Sequence, residues 1–109
     1  MEIRFKDARL REICERQAVA TRTLGDAVAR KLRARLADFC AASTVADLTA
    51  GRPHQLKRDR AGQFALDLHG GVRLVFEPAN DPVPRRKDHT IDWAAVTIVS
   101  IESIGDYHD

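Results

Sequence analysis

The sequence predicts an α+β fold: an N-terminal strand, an antiparallel two-helix hairpin, and a small antiparallel β-sheet with the hairpin packed on one face. Three observations carry it. Residues 64 to 76, FALDLHGGVRLVF, alternate apolar and polar on either side of a Gly-Gly pair, as two strands of a β-hairpin do. Residues 8 to 41 carry apolar side chains every three or four positions, the period of helices with one buried face. Residues 95 to 104 are apolar on both phases, the pattern of an inner strand covered on two sides.

In order, Ile3 and Phe5 share a face of a strand over residues 2 to 5. Asp7 can cap a first helix over 8 to 17, with Leu10, Ile13 and Cys14 as its apolar stripe. The triplet from Thr21 to Thr23 is read as a break. A longer helix follows over 24 to 41, built on Leu24, Val28, Leu32, Leu36 and Phe39, with Asp26 and Arg30 as an i, i+4 pair. The cations Arg30, Lys31, Arg33 and Arg35 spread around this helix at 100° per residue, which favours a solvated surface over a single binding stripe. Ser43-Thr44 is expected to cap one turn over 45 to 48, ended by Gly51 and Pro53. Residues 54 to 60 form a charged loop. Residues 77 to 93 form a long, exposed, mobile connection in which Pro78, Pro82 and Pro84 exclude regular structure and Trp93 anchors the far end on the core.

The register of the hairpin follows from burial, because residues directly opposite each other share a face. A two-residue loop would set Leu68 against Arg73. A three-residue loop, His69-Gly70-Gly71, sets Leu68 against Val72, Leu66 against Leu74 and Phe64 against Phe76, with glycine available for a left-handed position. The longer loop is therefore expected. It places Asp67 and Arg73 together on the other, open face.

At 109 residues the chain fits one domain over 1–109. No stretch has the length and apolarity of a membrane span, and the opening MEIRFKDARL has no apolar signal region, so a cytoplasmic protein without membrane association is expected. Cys14 and Cys40 have no metal spacing and are read as small buried hydrophobes in a reducing compartment. The net charge of +2 conceals an asymmetry: residues 1 to 87 hold all 18 Lys and Arg against 11 acids, and residues 88 to 109 hold five acids and none. The basic part suggests an anionic partner, nucleic acid first among them.

Several chemistries drop out. There is no phosphate-binding glycine loop, no HExxH helix and no nucleophile elbow, and His54, His69, His89 and His108 lack zinc spacing, so neither a cofactor nor a metal is expected. What remains is Arg73 on a strand face, the loop with His54, Lys57, Arg58 and Arg60, and the terminal Asp106-Tyr107-His108, which the last strand delivers to one edge of the sheet. Guanidinium and ammonium groups can hold a phosphodiester and the charge that grows on it, and imidazole moves protons near neutral pH. A neighbouring ribose 2′-hydroxyl can then serve as the nucleophile. The competing reading of each group is plainer: Arg73 pairs with Asp67, the loop cations are solvated, and Tyr107 pins the terminus.

Those residues also carry a resemblance. The segment from Leu56 to Phe64, LKRDRAGQF, with Val72-Arg73-Leu74-Val75-Phe76 and the terminal Ile104-Gly105-Asp106-Tyr107-His108, resembles the HigB branch of the RelE/ParE toxin superfamily; Ala29 to Leu36, ARKLRARL, is similar to that branch too. The order of elements agrees along nearly the whole chain apart from residues 79 to 93. Arg58 stands where the family commonly has glycine, and Val72 where it commonly has an aromatic residue.

The resemblance implies a RelE-like fold and a ribosome-dependent endoribonuclease, the toxin of a type II toxin-antitoxin pair, which cuts messenger RNA in the ribosomal A site. It further implies a HigA-like helix-turn-helix antitoxin, with operator DNA bound only through the toxin-antitoxin complex. Carried over position by position, Arg73 would stabilise the phosphorane, Lys57 and Arg60 would hold RNA backbone, and His54, Asp106, Tyr107 and His108 would orient the nucleotide and move protons; Arg58, a departure from the family, could add an RNA contact of its own. Two other functions remain open: a ParE-like inhibitor of DNA gyrase that cuts nothing, and a nucleic-acid or partner-binding module that only docks.

Overall fold

The computed structural model describes residues 1–106, so Tyr107 and His108 lie outside the described residues. Strand β1 (Glu2–Phe5) leads into α1 (Ala8–Glu15), α2 (Gln17–Leu24) and α3 (Asp26–Ala41). Strands β2 (His54–Gln55), β3 (Phe64–Asp67), β4 (Arg73–Pro78) and β5 (Ile98–Gly105) follow, with 3-10 turns at Val45–Asp47, Arg58–Arg60 and Trp93–Ala95. The five strands form one sheet in the order β1-β5-β4-β3-β2. The class is the expected α+β.

The expected helical hairpin is present with its first arm divided. Asp7 caps α1 as the sequence suggests, its Oδ1 accepting from the Leu10 N–H at 2.9 Å. The chain then turns at Arg16, whose extended backbone ends α1, and Thr21–Thr23 lies within α2 instead of breaking it. The true break is Gly25, at φ 85° and ψ 160°, a conformation essentially confined to glycine and costing other residues on the order of 1–3 kcal/mol. Thr21 and Thr23 are weak helix formers, but Val19 and Ala20 are buried beside them, and packing overrides so small a propensity. Asp26 and Arg30 form the expected ion pair, and Arg30, Lys31 and Arg33 are exposed.

The hairpin has the expected register: Phe64 faces Phe76, Leu66 faces Leu74 and Asp67 faces Arg73. The three-residue loop closes through Leu68 N–H to Val72 O at 2.8 Å, with Gly70 and Gly71 at positive φ. Alternation then assigns each face. Phe64, Leu66, Leu74 and Phe76 pack under the helices; Phe76 meets Phe39 edge-on at 4.9 Å, and Trp93 anchors on Phe64 at 4.8 Å. The opposite face carries Gln63, Ala65, Asp67, Arg73, Val75 and Glu77, and in its middle Leu56 is buried over Ala65 and Val75.

Four features differ from expectation. The sheet is mixed, because β1 runs parallel to β5, whereas the other three pairings are antiparallel; a four-residue strand alternates identically in either direction, so its sequence carries no sign of orientation. Strand β5 is inner, but along its first half only Val99 and Ile101 are buried, while Ile98, Ser100 and Glu102 are half-exposed. A bulge explains its two apolar phases: Val75 faces Ser103 and Phe76 faces Ile101, so one extra residue, Glu102, shifts the core face from Ile101 to Ile104. The connection after β4 is tied down instead of mobile. Asn80 Oδ1 accepts from the Thr97 and Ile98 amides, and a small turn closes with Arg86 N–H to Thr90 O at 2.8 Å and a bridge between Arg85 and Ile91. Finally, Cys14 is half-buried as a core neighbour, but Cys40 is exposed.

Candidate RNA-binding cleft

The charged segment 54 to 60 begins as sheet. His54 pairs with Ala65 and Gln55 with Phe64, which continues the open face of β3 and β4 outwards to His54. Burial of Leu56 then pins the segment, and the turn Arg58–Arg60 folds back over the open face. The result is an open cleft of about 750 Å³ lined by Arg52, His54, Gln55, Lys57, Arg58, Asp59, Arg60 and Arg73. Among the described residues, five lining cations against one lining carboxylate make it a positive concavity.

Arg73 is largely enclosed, its side chain 16% exposed, with Nε 3.4 Å from Asp67 Oδ1. Asp67 is more firmly held from the other side, where Arg52 Nε donates to Oδ2 at 2.8 Å. The hydrogen bond from Arg52 holds the Asp67 carboxyl below the usual range; partial burial opposes it, and the charges of Arg52, Arg73 and His54 add to it. The plainer reading of Arg73 is thus correct as far as it goes, since Arg73 does pair with Asp67. Because Arg52 already engages Asp67, the guanidinium of Arg73 keeps donors for an anion.

His54 Nδ1 lies 2.8 Å from Arg52 O. A carbonyl only accepts, so Nδ1 carries the proton and a neutral ring leaves Nε2 as its lone-pair nitrogen. Arg58 sits at φ 57°, in the left-handed region. This is the position at which the resemblance expects glycine, and here a charged residue lining the cleft takes the left-handed conformation. Gly51 serves a close approach, since its O accepts from the Asp67 amide at 2.6 Å and a Cβ there would lie 3.1 Å from Asp67 O.

The structure brings together Arg73, His54, Lys57, Arg58 and Arg60. Gly105 stands opposite Arg73 in the β4 and β5 register, so Asp106 follows beside the cleft, near the hairpin turn, with Oδ1 3.4 Å from the place of a Cβ on Gly71. Arg52 and Gln55 were not singled out from the sequence. The signal for them lay in β2: once His54 is a strand residue opposite Ala65, its neighbours must border the same face. Among the described residues no cluster of three or more His, Cys, Asp or Glu side chains is placed to hold a metal ion, and no helix is long and apolar enough to cross a membrane.

A mixed five-stranded sheet with helices on one face is a fold this chain shares with small YoeB/ParE toxins. The chain is similar to the YoeB/ParE toxin from Agrobacterium tumefaciens, with a TM-score of 0.62 and 12% identity over 99% of this chain and 100% of that one. It is similar also to the YoeB dimer from Staphylococcus aureus, with a TM-score of 0.58 and 16% identity over 100% of this chain and 98% of that one. No known family's sequence profile matches the chain, and no curated protein sequence does.

Proposed function

We propose that residues 1–109 act as one toxin domain of the RelE/ParE superfamily, a ribosome-dependent endoribonuclease that cleaves messenger RNA in the ribosomal A site. The observation that carries this reading is the placement of Arg73: a largely enclosed guanidinium at the base of a cleft with four further cations and His54 around it. The reaction is attack of a ribose 2′-oxygen on the adjacent phosphorus. The bond from phosphorus to O5′ breaks, leaving a 2′,3′-cyclic phosphate and a free 5′-hydroxyl. Arg73 stabilises the charge on the pentacoordinate phosphorane, and Lys57, Arg58 and Arg60 hold the flanking backbone. His54, through Nε2, together with Asp106, Tyr107 and His108 at the carboxyl end, orients the nucleotide, takes the 2′ proton and returns one to O5′.

The residues from Leu56 to Phe64 and the terminal Asp-Tyr-His support the HigB branch within that superfamily. The partner is then a HigA-like helix-turn-helix antitoxin, with operator DNA contacted through the complex. Its site of action is cytoplasmic.

Purified protein added to translating ribosomes is expected to cut the message within the A-site codon, read by mapping of 5′ ends. Arg73→Ala should lower cleavage on the order of 100-fold or more with the circular dichroism spectrum unchanged, and Arg73→Lys should not restore it, because the fork of donors is lost. Intact message at saturating protein, together with inhibited supercoiling by DNA gyrase, would establish the ParE-like activity in its place.

A further inference from the structure

On the open face of the sheet, Asp67 and Arg73 stand at one end and Gln63 and Glu77 at the other, with Leu56 buried between them. The second end has its own groove, of about 360 Å³, lined among others by Gln63, Glu77, Pro78, Val83, Arg85 and Ile91. Asp59, on the turn after Lys57, lines both grooves, so they adjoin. The outer wall of the second groove is the tied-down connection after β4, the part of the chain outside the family resemblance.

The groove has the parts of a nucleobase site. Pro78, Val83 and Ile91 offer flat apolar contact, and Arg85, held by its Nη1 donating to His89 O at 2.9 Å, offers a guanidinium plane for stacking. Two carboxylates line the groove, Asp59 where it adjoins the first cleft and Glu77 on the sheet, and Glu77 Oε1 accepts from Gln63 Nε2 at 3.2 Å. Gln63 Oε1 is buried without a partner. A carboxylate accepts at about four lone-pair sites, so Glu77 retains capacity, and it can only accept. That selects among bases. The Watson–Crick edge of guanine presents two adjacent donors, N1–H and the exocyclic amine. Adenine and cytosine present one donor beside an acceptor, and uracil presents one donor between two acceptors, which face the carboxylate with repulsion.

We propose that this groove is a guanine-binding subsite for single-stranded RNA lying across the adjoining cleft, and that Glu77 is its specificity-determining residue. The inference rests on the nuclease reading for the identity of the strand, and its test separates the two. All-2′-deoxy pentanucleotides, which lack the nucleophile and cannot be cut, are titrated against wild-type protein and Glu77→Gln by fluorescence anisotropy. They carry guanine, adenine, cytosine or uracil at the central position. Wild type should favour the guanine strand about tenfold, the discrimination a good bidentate pair provides, and Glu77→Gln should erase that preference while still binding. The same preference should recur at a fixed distance from the cut in wild-type cleavage maps. Equal affinity for all four strands, or a preference that survives in Glu77→Gln, overturns the subsite even where cleavage proceeds. Antitoxin binding that fails in Glu77→Gln while base preference is unchanged also overturns it, because the groove then serves a protein. A guanine preference lost in Glu77→Gln without cleavage by wild type supports the subsite and overturns the nuclease.

Discussion

Asp67 and the two cysteines show how neighbours set the chemistry of single residues. Asp67 has a depressed pKa in the folded state, caused first by the Arg52 hydrogen bond, so its ionised form adds stability above the unfolded value, about 3.9, and that stability is lost as pH falls through the folded value. Asp67→Asn should therefore be less stable than wild type at neutral pH. The gap in urea midpoint should narrow as pH falls below the unfolded value of about 3.9 and through the lower folded one. Cys14 and Cys40 separate by environment: burial, with a smaller contribution from Glu15, pushes the Cys14 thiol up to about 12, whereas Cys40 is exposed. A thiol reagent at about pH 8 should titrate one thiol at once and the second only on unfolding. Prompt reaction of both would contradict the packing of α1.

At the scale of elements, local pattern is a good guide where a face is buried and a poor one where it is not. The hairpin register, the Asp7 cap and the Trp93 anchor were legible because each follows from a nearby contrast of apolar and polar residues. The identity of β2 was not, since two residues of a charged loop have no period of their own and pair only because β3 offers an edge. The turn Arg58–Arg60 allows a direct test. Arg58→Gly removes a side chain from a left-handed backbone and should raise stability by about 0.5 kcal/mol, the relief of strain being partly offset by entropy of the unfolded chain. The same change should weaken RNA binding, because a cation leaves the cleft. A loss of both stability and binding would mean that Arg58 has a structural partner which the strain argument ignores.

Considered as a whole, the molecule has one structural face and one chemical face on the same sheet. Phe39, Phe64, Phe76 and Trp93 join helix, hairpin and the long connection at one point. Phe76→Ala should cost about 3–5 kcal/mol, a large part of the roughly 5–15 kcal/mol that holds such a domain together, and should sharply lower the denaturation midpoint. Ala65 and Val75, on the other side of the same strands, support the Leu56 anchor instead. Enlarging Ala65 would therefore disturb the cleft before the helical core.

By itself the sequence determined the α+β class, the hairpin and its register, the two helical arms, and one meeting of opposite charges, Arg73 with Asp67. These depend on alternation and spacing, which act over a few residues. Only the tertiary structure decided the parallel course of β1, the kink at Arg16, the bulge at Glu102, the role of Arg52 on Asp67 and the second groove beside Glu77. Each of these is settled between segments far apart in the chain, where the preference of any one segment is too weak to choose and the shared burial of both makes the choice.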